Sequence, residues 1–300
     1  MKFTVSGLVN IETNVKTDKF PIQYEPVRYN FFGINSNVSG VGYNVSKAFT
    51  VLGAYAELLS LTGKDIYEET IKNEMSKNNM TDKFLLNSLD STCQSVILYD
   101  ENGKRNIFTD LKNIQEIKYP VNLFSESYES SDLVVLCNIN YSRDKFEICK
   151  KTGKKTASDV HCINNLDDTY NKDFMKNSDI LFMSDEKLEI SPEIWIEKVY
   201  EKFSNEIIVI GMGEKGALMK NKYDGKTTFF SSYKTRPVLN TIGAGDSLFS
   251  SFIYFYTKTS DPYISMRKAC LFASWKIGES GASKGFLSEN DLNILYNNIR

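Results

Sequence analysis

Apolar and polar positions along this chain fall into two rhythms, and the switches between them predict its elements. Short apolar runs read as buried strands at 3–9, 56–61, 133–137, 155–159, 180–183 and 207–211. Between them, apolar side chains recur at helical spacing. Val45, Ala48, Phe49, Val51 and Leu52 form one such stripe, stopped by Gly53. Further helical stretches run from Asp65 to about Lys77 and over 143–151, 174–177, 194–203, 263–279 and 289–298. Leu248, Phe249, Phe252, Ile253 and Tyr256 mark one buried face of another. Two Tyr- and Phe-rich segments, 13–20 and 27–32, are separated by Pro21 and Pro26 and read as short strands apart from the main sheet. Segments 92–99 and 105–108 flank Glu101-Asn102-Gly103, a hairpin signal. Strands alternating with helices predict an α/β sandwich with a mainly parallel sheet and ligands at the carboxyl ends of its strands. No repeat or long linker divides the chain, so it reads as one domain over 1–300.

The chemistry concentrates where a small-residue turn opens a buried helix: Thr241-Ile242-Gly243-Ala244-Gly245-Asp246. A helix start offers unpartnered N–H groups and partial positive charge, and glycines admit a phosphate to bare backbone. Asp246 beside that cradle could take a proton from an attacking hydroxyl, or could simply favour the helix N-terminus. Ser39-Gly40-Val41-Gly42-Tyr43-Asn44 precedes the first long helix. Its glycines allow close backbone approach, and Asn44 reads as a helix cap. Gly211-Met212-Gly213-Glu214-Lys215-Gly216 spells a dinucleotide fingerprint after a strand, but 217–223 alternates and Asp224-Gly225 turns the chain back. A hairpin there argues against the helix that the fingerprint needs, so an NAD-dependent oxidoreductase rests on the G-x-G-x-x-G string alone.

Composition narrows the field. The net charge is −2, from 36 basic and 38 acidic residues, which argues against a nucleic-acid partner. Five cysteines without a C-x-x-C pair and a lone His161 leave little material for a zinc site or a histidine triad. The opening strand-like segment and the absence of a long apolar run set the expectation of a cytoplasmic protein with no membrane span.

Thr-Ile-Gly-Ala-Gly-Asp resembles the C-terminal signature of the ribokinase-like family, the phosphofructokinase-B-type (PfkB) sugar and nucleoside kinases. The Gly-x-Gly-x-Asn turn lies about 200 residues earlier, in the family's order. The resemblance implies a three-layer α/β/α sandwich with a small β-sheet lid, formed mainly within 13–33 with 92–108 as a further candidate. It implies Asp246 as catalytic base and the Gly243, Ala244 and Gly245 amides as anion hole. Asn10, Glu12, Gly40, Val41, Gly42, Asn44 and Asn138 would hold the substrate. Ser184, Gly211, Gly213, Glu214, Gly216 and Gly245 would line the ATP site. Glu186 would reach Mg²⁺ through water, and Asn240 and Ile242 would lie at a monovalent cation site for K⁺.

Several positions depart from the family pattern. Glu12 stands for the usual aspartate, Gly211 for a threonine and Asn240 for an aspartate. Ser184-Asp185-Glu186-Lys187 replaces Asn-x-x-Glu. Val41 stands where ribose- and phosphosugar-specific members often carry lysine, which disfavours a phosphorylated sugar and leaves a neutral sugar or a nucleoside as the expected substrate. Short strings around 40–44 and 137–139 are similar to those of pseudouridine kinases. The altered magnesium motif also leaves room for a non-catalytic ligand-binding relative. A homodimer through the lid is the expected assembly.

Overall fold

The computed structural model describes residues 1–101 and 104–299. β1 (Lys2–Ser6), β2 (Asn10–Lys16) and β3 (Ile34–Ser39) precede the first helix, α1 (Val41–Val51). β4 (Tyr55–Gly63), α2 (Ile66–Lys77), β5 (Leu85–Leu89), β6 (Gln94–Tyr99) and β7 (Arg105–Asp110) follow. Helices and strands then alternate through α3 (Val121–Tyr128), β8 (Leu133–Leu136), α4 (Lys145–Thr152), β9 (Thr156–Cys162) and α5 (Lys172–Asn177). β10 (Ile180–Ser184), α6 (Pro192–Phe203) and β11 (Ile207–Gly211) continue the series. β12 (Gly216–Asn221), β13 (Thr227–Ser231), α7 (Ala244–Thr259), α8 (Pro262–Lys276) and α9 (Glu289–Ile299) complete it.

Nine strands form the main sheet in the order β13-β12-β11-β10-β9-β8-β1-β4-β5. From β11 to β5 the neighbours are parallel, and only β12 and β13 turn antiparallel at one edge. The continuous apolar run in β11 shows why. Ile207 and Val209 enter one core, with Phe249, Phe252 and Phe272, while Ile208 and Ile210 enter the other, with Trp195 and Val199. A strand covered on both faces needs apolar residues at every position. Each side chain fully buried this way contributes roughly 1.5–3 kcal/mol. Helices on both faces make the three-layer α/β/α sandwich that the sequence predicts.

A smaller sheet runs β3-β2-β6-β7. The alternating segment 27–32 is not one of its strands: it is irregular, and Tyr29, Phe31 and Phe32 are exposed. The polar stretch Ile34–Ser39 takes that place instead. Its register sets Val38 opposite Ile11, and both are buried, so one apolar cross-strand pair outweighs the polar composition. β6 and β7 pair antiparallel with Tyr99 opposite Arg105, as a hairpin requires. Asn102 and Gly103 of the predicted turn lie outside the described residues. The helix expected to start at Asn44 starts at Val41, with Gly40 as N-cap at φ 104°.

Candidate active site

The two glycine turns meet. α1 and α7 pack side by side, and the Asn44 Nδ2 donates to Asp246 Oδ2 at 2.7 Å across 202 positions of chain. Asn44 is therefore no cap. It sits inside the first turn of α1, which has no side-chain cap bond, and its amide serves the carboxylate. Around them, β2 and β3 bring a polar cluster. Ser39 Oγ donates to Glu12 Oε2 at 2.9 Å and lies 3.4 Å from Asn44 Oδ1. Asn14 Nδ2 donates to Glu12 Oε1 at 3.0 Å, and Asn10 Nδ2 to Ser95 Oγ at 2.6 Å. The buried Oδ1 atoms of Asn10 and Asn14 have no hydrogen-bond partner among the described residues. An unmet buried acceptor is costly, and a ligand hydroxyl would satisfy it.

The glycines differ in what they do. A Cβ on Gly42 would meet Gly7 C at 2.4 Å, and one on Gly40 would meet Leu8 O at 2.5 Å. Those two are fixed by α1 packing on the end of β1. Gly243, at φ 75°, would meet Ala282 O at 2.3 Å. Gly245 is different: it is helical and exposed, and a Cβ there would meet nothing within 4 Å. Neither packing nor backbone conformation requires a glycine at that position. The Ala244 amide donates to the Thr241 carbonyl at 3.2 Å, which turns it away from a ligand. The amides of Gly245 and Asp246 start the helix, where no preceding turn supplies acceptors.

Charge is crowded here. Burial raises the Asp246 carboxyl above the usual range, His161 and the Asn44 bond pull it back, and Asp159 and Glu12 push it up again. His161, held at φ 56°, has its amide on Asp159 Oδ1 at 2.8 Å and its Nδ1 3.8 Å from Asp159 Oδ2. Lys276 is buried. Its Nζ donates to the Ile242 carbonyl, and burial lowers it to about 8 against the pull of Asp246, Glu12 and Glu279. Asn240 Oδ1 accepts from the Ile242 amide at 3.1 Å. With an ammonium on that carbonyl and an amide in place of a carboxylate, these two residues do not fit a bound potassium ion.

On the other side, Ser184 pairs in register with Gly211, and the Asp185 amide donates to the Gly211 carbonyl at 3.0 Å. Gly213–Lys215 makes one 3₁₀ turn with Glu214 exposed. Gly216, at φ 124°, begins β12, where a Cβ would strike Phe230 O at 2.0 Å. A strand, not a helix, follows the G-x-G-x-x-G string, so the dinucleotide reading fails on geometry. Arg105 crosses from β7: Nη1 donates to Thr241 Oγ1 at 2.9 Å, and Nη2 lies 3.3 Å from Glu186 Oε2. Cys162 Sγ also approaches Glu186 Oε2, at 3.4 Å. Among the described residues no three His, Cys, Asp or Glu side chains group as a metal cage. Magnesium fits here only as an ion held chiefly by nucleotide phosphates and water, with Asp185 and Glu186 nearby.

Two predicted substrate contacts stand apart. Asn138 Nδ2 donates to Asn171 Oδ1 at 3.2 Å and its backbone carbonyl accepts from Tyr170 Oη at 2.9 Å, so its side-chain amide group faces Asn171. Val41 is part-buried against the core in the first turn of α1. Arg105, His161, Asp159, Asn14 and Lys276 escaped the sequence reading. Lys276 alone carried a usable signal: it follows Phe272 by four positions and Ala269 by seven, on a face that is otherwise buried.

Helices on both faces of a mostly parallel sheet, a smaller sheet beside it and two glycine turns joined at one carboxylate define a ribokinase-like sandwich. The chain belongs to the pfkB family of carbohydrate kinases, whose model matches residues 2–289. Ribokinase from Dictyostelium discoideum is 26% identical, over 97% of this chain and 98% of its own. A microbiome-derived acarbose kinase superposes with a TM-score of 0.87 at 23% identity, covering 98% of each chain. A Burkholderia thailandensis nucleoside kinase in complex with inosine gives 0.80 at 14% identity, covering 99% of this chain and 98% of its own. Family membership carries ATP-dependent phosphotransfer to a sugar or nucleoside hydroxyl, with the ATP and Mg²⁺ use typical of these kinases. No helix among the described residues is long and apolar enough to cross a membrane.

Proposed function

We propose that the protein moves the γ-phosphoryl of ATP to a hydroxyl of a small neutral sugar or nucleoside, with Asp246 as general base. The Asn44–Asp246 hydrogen bond carries this reading, because it puts the early and late turns on one carboxylate. Asn44 orients that carboxylate toward an acceptor hydroxyl, which gives up its proton to Asp246 as its oxygen attacks. The Gly243–Gly245 turn donates backbone N–H groups to the phosphoryl oxygens, chiefly from the open position at Gly245. Magnesium, when bound with the nucleotide, offsets charge on the phosphate oxygens.

Glu12, held by Ser39 and Asn14, accepts from substrate hydroxyls, and the unmet Oδ1 atoms of Asn10 and Asn14 add two acceptors. Three carboxylates, at Glu12, Asp159 and Asp246, disfavour an acceptor that already carries phosphate. Val41 brings no cation to offset them, so neutral acceptors suit the cleft. The similar proteins, a ribokinase, an acarbose kinase and a nucleoside kinase in complex with inosine, bracket that class. The smaller sheet covers the cleft and excludes water, which would otherwise compete for the phosphoryl group. Its exposed Val96, Ile107 and Phe108 make it the expected homodimer surface.

ADP release from MgATP over a panel of neutral sugars and nucleosides tests the proposal. Turnover with at least one acceptor is expected. Thermal stabilisation by a sugar or nucleoside without ADP release from any would show a binding protein instead.

A further inference from the structure

Lys276 has no exposed surface, and an ammonium is among the hardest groups to bury. It is the last residue of α8. The other end of that helix is fixed by Asp261, whose carboxylate accepts from the Tyr263 and Ile264 amides at 2.8 and 3.0 Å. Past Lys276 the Leu239 and Asn240 amides donate to the Ile277 carbonyl at 2.9 and 3.3 Å, so the approach to the anion turn is clamped to the end of α8. From that clamp Lys276 Nζ donates to the carbonyl of Ile242, the residue immediately before Gly243. Asp246 from α7, Glu12 from β2 and Glu279 attract the ammonium, and Arg236 opposes it.

A strut between α8 and the 239–242 segment needs no charge. Methionine or leucine would fill the same space without the desolvation cost. A charge is needed for a different reason. Glu12, Asp159 and Asp246 already gather at the cleft, and a nucleotide triphosphate would bring more negative charge to the turn beside them. Something positive must stand behind the backbone amides.

We infer that Lys276 is a positioning residue for phosphoryl transfer: its ammonium holds the Ile242 carbonyl and gives the anion turn a fixed internal positive charge. That charge stands in for a bound monovalent cation, so the reaction proceeds without potassium. The inference rests on the kinase reading proposed above.

Salt substitution tests it first. The wild-type kcat should agree within about twofold in potassium, sodium and choline chloride at equal ionic strength, the exposed charges being screened alike. Lys276→Met and Lys276→Ala, checked for folding by circular dichroism, should lose about 10²–10³-fold in kcat while KM for ATP changes little. Lys276→Arg should keep more activity than Lys276→Met. Potassium or ammonium chloride should restore Lys276→Ala by about tenfold over choline, the added ion entering the space the side chain leaves.

Potassium activation of the wild type by about tenfold or more over choline would overturn the inference while leaving the kinase reading intact. So would a folded Lys276→Met variant with wild-type kcat. If the variants do not fold, the wild-type salt series still decides. No ADP release in any salt with any acceptor would sink the kinase reading, and the inference with it.

Discussion

The early turn at 39–44 and the late turn at 241–246 each carry a Gly-x-Gly pair, yet their glycines answer to different forces. In the early turn both are consumed by packing: Gly42 lies on the Gly7 backbone and Gly40 on the Leu8 carbonyl. In the late turn Gly243 is likewise pinned against Ala282, but Gly245 faces open space. What the early turn contributes is side chains that hold carboxylates, Ser39 on Glu12 and Asn44 on Asp246. What the late turn offers is bare backbone. A glycine that the fold does not need is the stronger sign of a ligand.

The comparison can be broken at several points. Asp246→Asn removes the shared carboxylate and should lower kcat by about 10²–10⁴-fold while the Kd for ATP moves only a few-fold. Stopped assays with parallel nucleotide titration separate the two. Gly42→Ala should cost about 2–3 kcal/mol of folding free energy, since a methyl group must displace backbone rather than a flexible side chain. Urea unfolding reads it directly, and an unchanged midpoint would contradict the packing role.

Asn44→Ala should lose a charge-assisted bond, about 1.5–3 kcal/mol of folding stability, and should lower kcat/KM as well because the same bond orients Asp246. It also shifts the pH profile in a defined direction. Burial already holds the Asp246 carboxyl above the ordinary aspartate range, and the Asn44 donor favours its ionised form. A base works only when deprotonated, so activity falls as pH drops through that raised pKa. Removing the donor raises the pKa further and moves the acid limb of kcat/KM to higher pH. A limb that stays in place would separate Asn44 from the base.

Gly245→Ala gives the smallest stability change and the sharpest contrast. Alanine in a helix position free of clashes should stabilise the fold by about 0.5–1 kcal/mol. The same methyl group should obstruct phosphate approach and lower kcat/KM. Melting and turnover measured on one preparation check both signs, and a more stable variant of full activity would remove the ligand role of this glycine.

The sandwich was legible because β4, β8, β10 and β11 carry apolar residues on both faces, β1 carries them on one, and these strands alternate with helical stripes. β3 was not, because its stability comes from one buried pair, Val38 on Ile11, inside a polar string. The aromatic segment at 27–32 misled for the opposite reason, since its apolar side chains find no partner strand and stay exposed. At the site, the motif positions of Asp246 and Asn44 could be read, but not their mutual hydrogen bond, which joins residues 202 apart. Arg105 and His161 reach the cleft by the crossing of β7 and the left-handed turn at the end of β9, and neither is written in local spacing. The altered Ser184–Lys187 string is intelligible only with Arg105 in view, because Glu186 is paired to it.

A crystal structure with a non-hydrolysable ATP analogue, magnesium and an accepted sugar or nucleoside addresses the arrangement most directly. The terminal phosphate should lie within about 3 Å of the Gly245 amide, with the acceptor hydroxyl at a similar distance from the Asp246 carboxylate. A nucleotide whose phosphates rest away from the 243–245 turn, or an acceptor held out of reach of Asp246, would contradict it.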